Sequence, residues 1–208
     1  MRHAVITGDL IGSAAAPADR VEEALRRIGA CAAGFDPGTR FSRFRGDGWQ
    51  ILLAEAGLGL RVALAIAAEL AAAGGPQSRM AIGIGAAAGI AGPTLAAATG
   101  TAFVASGRAL DAMAGGRRLD IAGEGVDRLH RCLVDYIDRQ VQDWSVEQAE
   151  AMAMRLGPGQ PPPRSRIAAR LGITRQAVAA RLAAAGHDLI ERATAAFAAE
   201  FRSAGGGP

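Results

Sequence analysis

Lysine and asparagine are both missing from this chain of 208 residues, so all 23 basic side chains are arginines. Each absence removes a chemistry. A phosphate-binding loop of the Gly-x-x-x-x-Gly-Lys-Ser/Thr type needs the lysine that reaches the phosphates. Schiff-base catalysis needs a lysine amine, and mechanisms built on an asparagine side chain fall away too. A genome biased towards Arg, Ala and Gly codons explains both absences, but the exclusions hold whatever their origin. Aromatic residues are only 4% of the chain, so the core has to come from Ala, Leu, Ile and Val. The two cysteines, Cys31 and Cys132, are far apart and form neither a zinc spacing nor a disulfide framework. Each reads as a small buried apolar residue in a reducing compartment. The histidines His3, His130 and His187 are scattered and match no ligand spacing. Long apolar runs are lacking as well. Asp9 interrupts the apolar start before a signal-peptide core forms. The most apolar later run, 58–73, carries Arg61 and Glu69 and is too short to span a bilayer. The expectation is a soluble cytoplasmic protein with no membrane partner.

What is present is patterned. Apolar residues make up 50% of the chain, and its length suits one or two domains. Residues 3–7 form a β-branched apolar run stopped by Gly8-Asp9, which predicts a buried strand. Val21, Leu25 and Ile28 recur at helical spacing within 17–33. Two short strands, 39–45 and 49–54, flank Gly46-Asp47-Gly48 and predict a hairpin. A helix over 58–73, a strand over 79–87, a helix over 102–114 and a strand over 117–122 follow. This order predicts an α+β, ferredoxin-like sheet with helices on one face. Past Gly125 the strand pattern stops and helical periodicity takes over, through Leu129, Leu133, Val134 and Ile137 and again over 145–156, where Ser145 and Gln148 have capping-box spacing. The expected division is a sheet domain over 1–125 and an all-α domain over 126–208. A loop at 157–163 holds four of the nine prolines, and the Gly-rich end, 203–208, is expected to be disordered. Trp49 and Trp144 read as core anchors.

After the proline loop, residues 164–182 read as a short helix, a turn at Gly172 and a second helix capped by Thr174. Ile167, Ala168, Leu171, Ile173, Val178 and Leu182 have the spacing that packs two helices steeply, which is a helix-turn-helix. Arg175, Gln176, Ala179 and Arg181 then project away from that core. Arginine pairs with guanine, and glutamine with adenine, in a major groove. Residues 164–192 hold six arginines against Asp188 and Glu191, whereas 126–163 hold four against six acids. That local basic patch is the footprint of phosphate binding. Candidate DNA contacts are Arg164, Arg166, Thr174, Arg175, Gln176 and Arg181. The plainer alternative is a helical hairpin with solvated arginines. The segment resembles the Arg-Gln-Ala-type helix-turn-helix of bacterial regulators, including the fourth region of sigma factors. Trp144-Ser145-Val146-Glu147-Gln148-Ala149 is similar to the helix that often precedes it.

At the other end, Asp9 follows a strand and Asp47 sits in the hairpin turn. Two carboxylates at one sheet edge suit a hard divalent cation, and the backbone of 10–13 can face phosphates. The plainer alternative makes Asp9 a turn cap and Asp47 an ordinary hairpin Asp-Gly. Four motifs in order resemble class III nucleotidyl cyclases: Asp9-Leu10-Ile11-Gly12-Ser13, Arg45-Gly46-Asp47-Gly48, Arg79-Met80-Ala81-Ile82-Gly83-Ile84-Gly85, and the helix start Gly100 to Leu110. Together with the helix-turn-helix they also resemble the SatD-like family of bacterial proteins. The resemblance implies Mg²⁺ or Mn²⁺ on Asp9, Asp47 and the Ile11 carbonyl. It implies a nucleoside triphosphate against Leu10, Gly12 and Ser13, and Arg108 as the catalytic arginine that stabilises transition-state charge. Departures are specific. The family's transition-state asparagine falls on Val104, and loss of such a donor costs roughly 10²–10³ in rate. Its base-reading lysine falls on Arg43, and its base-reading Asp or Thr falls near Ala97, with Thr94 and Thr99 close by.

These features support a homodimeric DNA-binding transcriptional regulator whose cyclase-like domain binds a metal-nucleotide or mediates dimerisation. The alternatives are an active Mg²⁺- or Mn²⁺-dependent nucleotidyl cyclase or other phosphoryl-transfer enzyme, and a dimer module with no ligand.

Overall fold

The protein is described from a computed structural model, which covers residues 2–44, 46–90, 92 and 94–202. Arg45 of the Arg-Gly-Asp-Gly motif and the Gly-rich end lie outside the described residues. The fold is α+β, and among the described residues it has five strands in one mixed sheet and eight α-helices. In chain order these are β1 (His3–Leu10), α1 (Ala18–Ala33), β2 (Arg40–Phe44), β3 (Gly48–Leu53), α2 (Gly59–Ala72), β4 (Ser78–Gly85), α3 (Thr101–Asp111), β5 (Leu119–Gly123), α4 (Arg128–Gln142), α5 (Val146–Leu156), α6 (Arg164–Leu171), α7 (Arg175–Ala184) and α8 (His187–Glu200). A 3₁₀ turn, Ala56–Leu58, leads into α2.

The strand order is β2-β3-β1-β4-β5, with β1 antiparallel to both β3 and β4 and β5 parallel to β4. β1 is central, and its alternate side chains enter two different layers. Ala4 and Ile6 pair with Ile84 and Ile82, and this row faces α2: a Cβ added at Gly59 would lie 3.0 Å from Ile82 and 3.1 Å from Ala4. Val5 and Thr7 pair with Gly83 and Ala81, and this row faces α3. The Thr7 and Ser106 hydroxyls share a hydrogen bond of 2.7 Å. The helices therefore cover both faces of the sheet, not one face as the element order suggested. The reason is local. Gly83 has no side chain, and a Cβ there would sit 2.1 Å from the Ala102 carbonyl, so the α3 backbone can lie directly on β4. A central strand buried on both faces reads as a continuous apolar run, and residues 4–8 are all buried.

The helical second half packs on the sheet half. α5 lies along α2, and one apolar cluster runs from Ile6, Leu64 and Ile82 to Met152, Val178 and Phe201. Each fully buried Ile or Leu in it contributes roughly 1.5–3 kcal/mol relative to exposure. Arg61 of α2 donates to the carbonyls of Arg155, Leu156 and Gly157, where α5 ends. Ser145 and Gln148 form the expected capping box at the start of α5. Trp49 and Trp144 are both buried, with their indole N–H groups donating to Ser78 Oγ at 3.2 Å and to the Ala185 carbonyl at 2.9 Å. One expectation of burial is corrected on α4. Cys132 is exposed, and so is Leu129, because both point to the outer side of the helix with Tyr136. α8, which no pattern in the sequence predicts, packs Phe197 into the main cluster, and Phe201 just past its end joins it.

Candidate functional site

One cleft, of about 530 Å³, opens at the end of the sheet where β1 finishes and β4 and β5 begin. It is lined by Asp9, Leu10, Ile11, Gly12 and Asp47, together with Arg79, Gly116, Arg117, Arg118 and Gln142. The strand register builds it. Asp9 and Leu10 lie opposite Arg79 and Ser78. The Ser78 hydroxyl donates to the Asp9 carbonyl at 2.6 Å, and the Ile11 N–H donates to the Gln77 carbonyl at 2.7 Å. The hairpin turn brings Asp47 to the same end, where it accepts a hydrogen bond from the Ser13 hydroxyl. The expected metal positions Asp9, Ile11 and Asp47 and the expected phosphate positions Leu10 and Gly12 thus share one cleft, with Ser13 bound to Asp47.

Arg108 does not line this cleft; it is exposed in the last turn of α3. The positions related to base reading, Arg43 and Thr94, line a separate cleft of about 710 Å³ with Phe44, Gln50 and Leu95. Arg43 is there paired with Glu22 at 2.6 Å.

Asp9 accepts from Arg79 through both carboxylate oxygens: Nε reaches Oδ1 at 2.9 Å, and Nη2 bonds Oδ2. Such a bidentate pair is directional as well as charged. Donating these bonds to Asp9 raises the Arg79 pKa above its ordinary value, and the nearby charges of Asp47 and Asp111 add to this. A divalent cation needs carboxylate oxygens with lone pairs facing it at about 2.0–2.6 Å. With both Asp9 oxygens on a guanidinium and Asp47 Oδ2 on a hydroxyl, a cation held by both carboxylates would have to displace Arg79, so the residues as arranged do not fit one. Among the described residues no group of three or more His, Cys, Asp or Glu side chains is gathered for a metal.

On the far wall Arg117 bonds Asp120 and Asp135, and the Arg118 backbone N–H donates to the Asp138 carboxylate at 3.1 Å. Asp138 is buried, and burial raises its pKa above the usual carboxylate value, against the lowering effect of that hydrogen bond.

The second surface is the pair α6–α7. Gly172 ends α6 in the left-handed conformation at φ 67°, which a side chain resists, and Thr174 Oγ1 accepts from the Ala177 N–H at 3.1 Å. Ile167, Ala168, Val178 and Leu182 are buried, with Leu171 and Ile173 packed beside them. Arg164, Arg166, Arg170, Thr174, Arg175 and Gln176 are exposed. Arg181 departs from expectation: it does not project away but turns onto α5, where it pairs with Glu150 at 3.1 Å and donates to the Glu147 carbonyl. Packing of α5 against α7 places that carboxylate within its reach.

Sequence reasoning gave no role to Arg79, Arg117, Arg118 or Gln142. The signal for Arg117 and Arg118 was the Gly115-Gly116-Arg117-Arg118 turn before a strand; the role of Arg79 needs the β1–β4 register. No helix among the described residues is long and apolar enough to cross a membrane. Comparison with protein-family models, with curated proteins and with solved structures finds no match.

Proposed function

We propose that the chain is a DNA-binding transcriptional regulator acting as a homodimer, with α6–α7 as its helix-turn-helix and the first 125 residues as a ligand-binding or dimerising module. The observation that carries this reading is the outer surface of α6–α7, where Arg164, Arg166, Arg175 and Gln176 are exposed above a buried apolar seam. None of these arginines forms a salt bridge among the described residues, and only Arg164 lies within electrostatic reach of an acid, Asp188, so their charge can meet phosphates and base edges. We read the sheet as ferredoxin-like: β2-β3-β1-β4, antiparallel throughout, is the order of a split β-α-β unit, and β5 extends it. That order supports the resemblance to class III nucleotidyl cyclases and SatD-like proteins. A dimer would read half-sites about 34–36 Å apart.

Selection of binding sites from random DNA, followed by fluorescence anisotropy at two salt concentrations, tests the reading. A salt-sensitive complex is expected. Arg175→Ala should cost roughly 1–3 kcal/mol if it meets a base edge, whereas Arg181→Ala, held by Glu150, should leave base preference unchanged. Wild-type affinity in an Arg164→Ala/Arg175→Ala double variant at the same salt would falsify it.

A second reading, a Mg²⁺- or Mn²⁺-dependent nucleotidyl cyclase or related phosphoryl-transfer enzyme, is favoured by one observation: Asp9, Ile11 and Asp47 line the same cleft. It requires Arg79 to leave Asp9. Incubation with ATP or GTP and Mn²⁺ tests it; cyclic product that disappears in Asp47→Ala supports it, and no turnover at high protein concentration rejects it.

A further inference from the structure

Asp9 faces Arg79 across two antiparallel strands, and this register limits what the cleft can hold. The guanidinium takes both Asp9 oxygens and lies within the electrostatic reach of Asp47. A resident cation thus already stands beside the two carboxylates. The rest of the cleft offers donors. Arg117 and Arg118 line it. Arg117 is tied to Asp120 and Asp135, whereas the Arg118 side chain forms no salt bridge among the described residues, although its charge lies within electrostatic reach of Asp138. The turn after β1 adds backbone N–H groups. Ala15 and Ala16 return theirs to the Gly12 carbonyl, while those of Gly12, Ser13 and Ala14 have no acceptor among the described residues. Gly12 has φ 71°, and it lines the cleft. Successive amides around a left-handed turn at the rim of a cleft that guanidinium groups line suit the oxygens of a phosphate. The cleft volume, about 530 Å³, suits a small ligand.

We propose that this cleft binds a phosphate-bearing anion without a divalent metal, with Arg79 standing in for the cation at Asp9 and Arg118 meeting the anion. The proposal rests on reading the first 125 residues as a ligand-binding module. It departs from the metal chemistry that the cyclase resemblance implies.

Titration calorimetry of the full chain with inorganic pyrophosphate in the presence of EDTA tests it. Binding is expected, and Arg118→Ala should weaken it by about tenfold or more, the scale of a lost charge-assisted contact. In parallel, Mn²⁺ alone is titrated and followed by its electron paramagnetic resonance signal. The wild type should leave the ion free. Arg79→Met, which releases the Asp9 oxygens, should gain a Mn²⁺ site that Asp47→Asn removes again. Because Arg79→Met also breaks a cross-strand pair, its fold is checked by circular dichroism, and the Arg118→Ala arm is read independently of it. Pyrophosphate binding that requires added Mg²⁺ or Mn²⁺, stoichiometric Mn²⁺ uptake by the wild type, or unchanged affinity in Arg118→Ala would each overturn the proposal. DNA phosphates are the other source of this chemistry, so both variants are also tested on DNA. Arg118→Ala should keep its DNA affinity, and Arg175→Ala its pyrophosphate affinity. Loss of DNA binding in Arg118→Ala would move the cleft onto the DNA surface and overturn it. Pyrophosphate binding by a protein that binds no DNA would reject the regulator reading alone.

Discussion

Asp138 is a carboxylate in an unfavourable place. It is buried beside the start of β5, and although it accepts the Arg118 N–H, burial holds its pKa above the ordinary carboxylate value. The folded state therefore binds this proton more tightly than the unfolded state. The stability associated with it is fully present below the unfolded pKa and is lost as pH rises through the folded one. Asp138→Asn keeps an oxygen for the Arg118 N–H and removes the titration. The melting temperature of the variant relative to wild type should be higher at about pH 7 than at about pH 4. An equal difference at both values, or the reverse order, would show that burial of this charge is not what sets the shift. Residue identity alone could not reveal this. Asp138 and the surface acid Asp135 look alike in sequence, and only the packing of α4 against β5 separates them. The same holds for Arg181 and Arg175, which share a helix but meet different neighbours.

Features set by local chemistry were legible at the scale of the element. Thr174 and Ser145 stand where helix N-terminal N–H groups need an acceptor, and both make the expected bond. Gly172 stands where the chain must turn left-handed. Thr174→Ala should cost about 1 kcal/mol, with a range of roughly 0.5–2, measured by urea unfolding. No loss of stability would mean that the turn holds α7 in place without its cap. Features set across the sheet were less legible. The faces of β1 were readable as apolar, but the layer each one meets was not, because it depends on α3 resting on Gly83. The Asp9–Arg79 pair was hidden for the same reason: residues 70 positions apart become neighbours only through strand register. α8 lacked a start signal. Gly186, left-handed at φ 74°, follows the Ala183-Ala184-Ala185 run that ends α7, with no side-chain cap for α8.

At the scale of the whole molecule, the sequence changes character near Gly125 but the apolar core does not stop there. α5 lies on α2, Arg61 holds the end of α5, and Phe201 closes the cluster. Such a continuous interface should make the two halves unfold together. In Trp144→Phe the remaining tryptophan, Trp49, reports the sheet, while far-UV circular dichroism is dominated by helices. The two urea curves should coincide, as a two-state transition requires. Separate midpoints would show that the halves melt independently.

The exposure of Cys132 has a practical consequence. The other thiol, Cys31, is half-buried, and burial, with the nearby charge of Glu69, pushes its pKa up to about 12, so little of it is thiolate near neutral pH. A maleimide or nitroxide reagent should therefore mark a single position on α4 of the wild-type chain, without engineering. In a two-fold assembly, that one label would appear as one inter-subunit distance, so the native protein carries its own ruler for asking whether two copies pair and whether DNA or an anion changes how they sit.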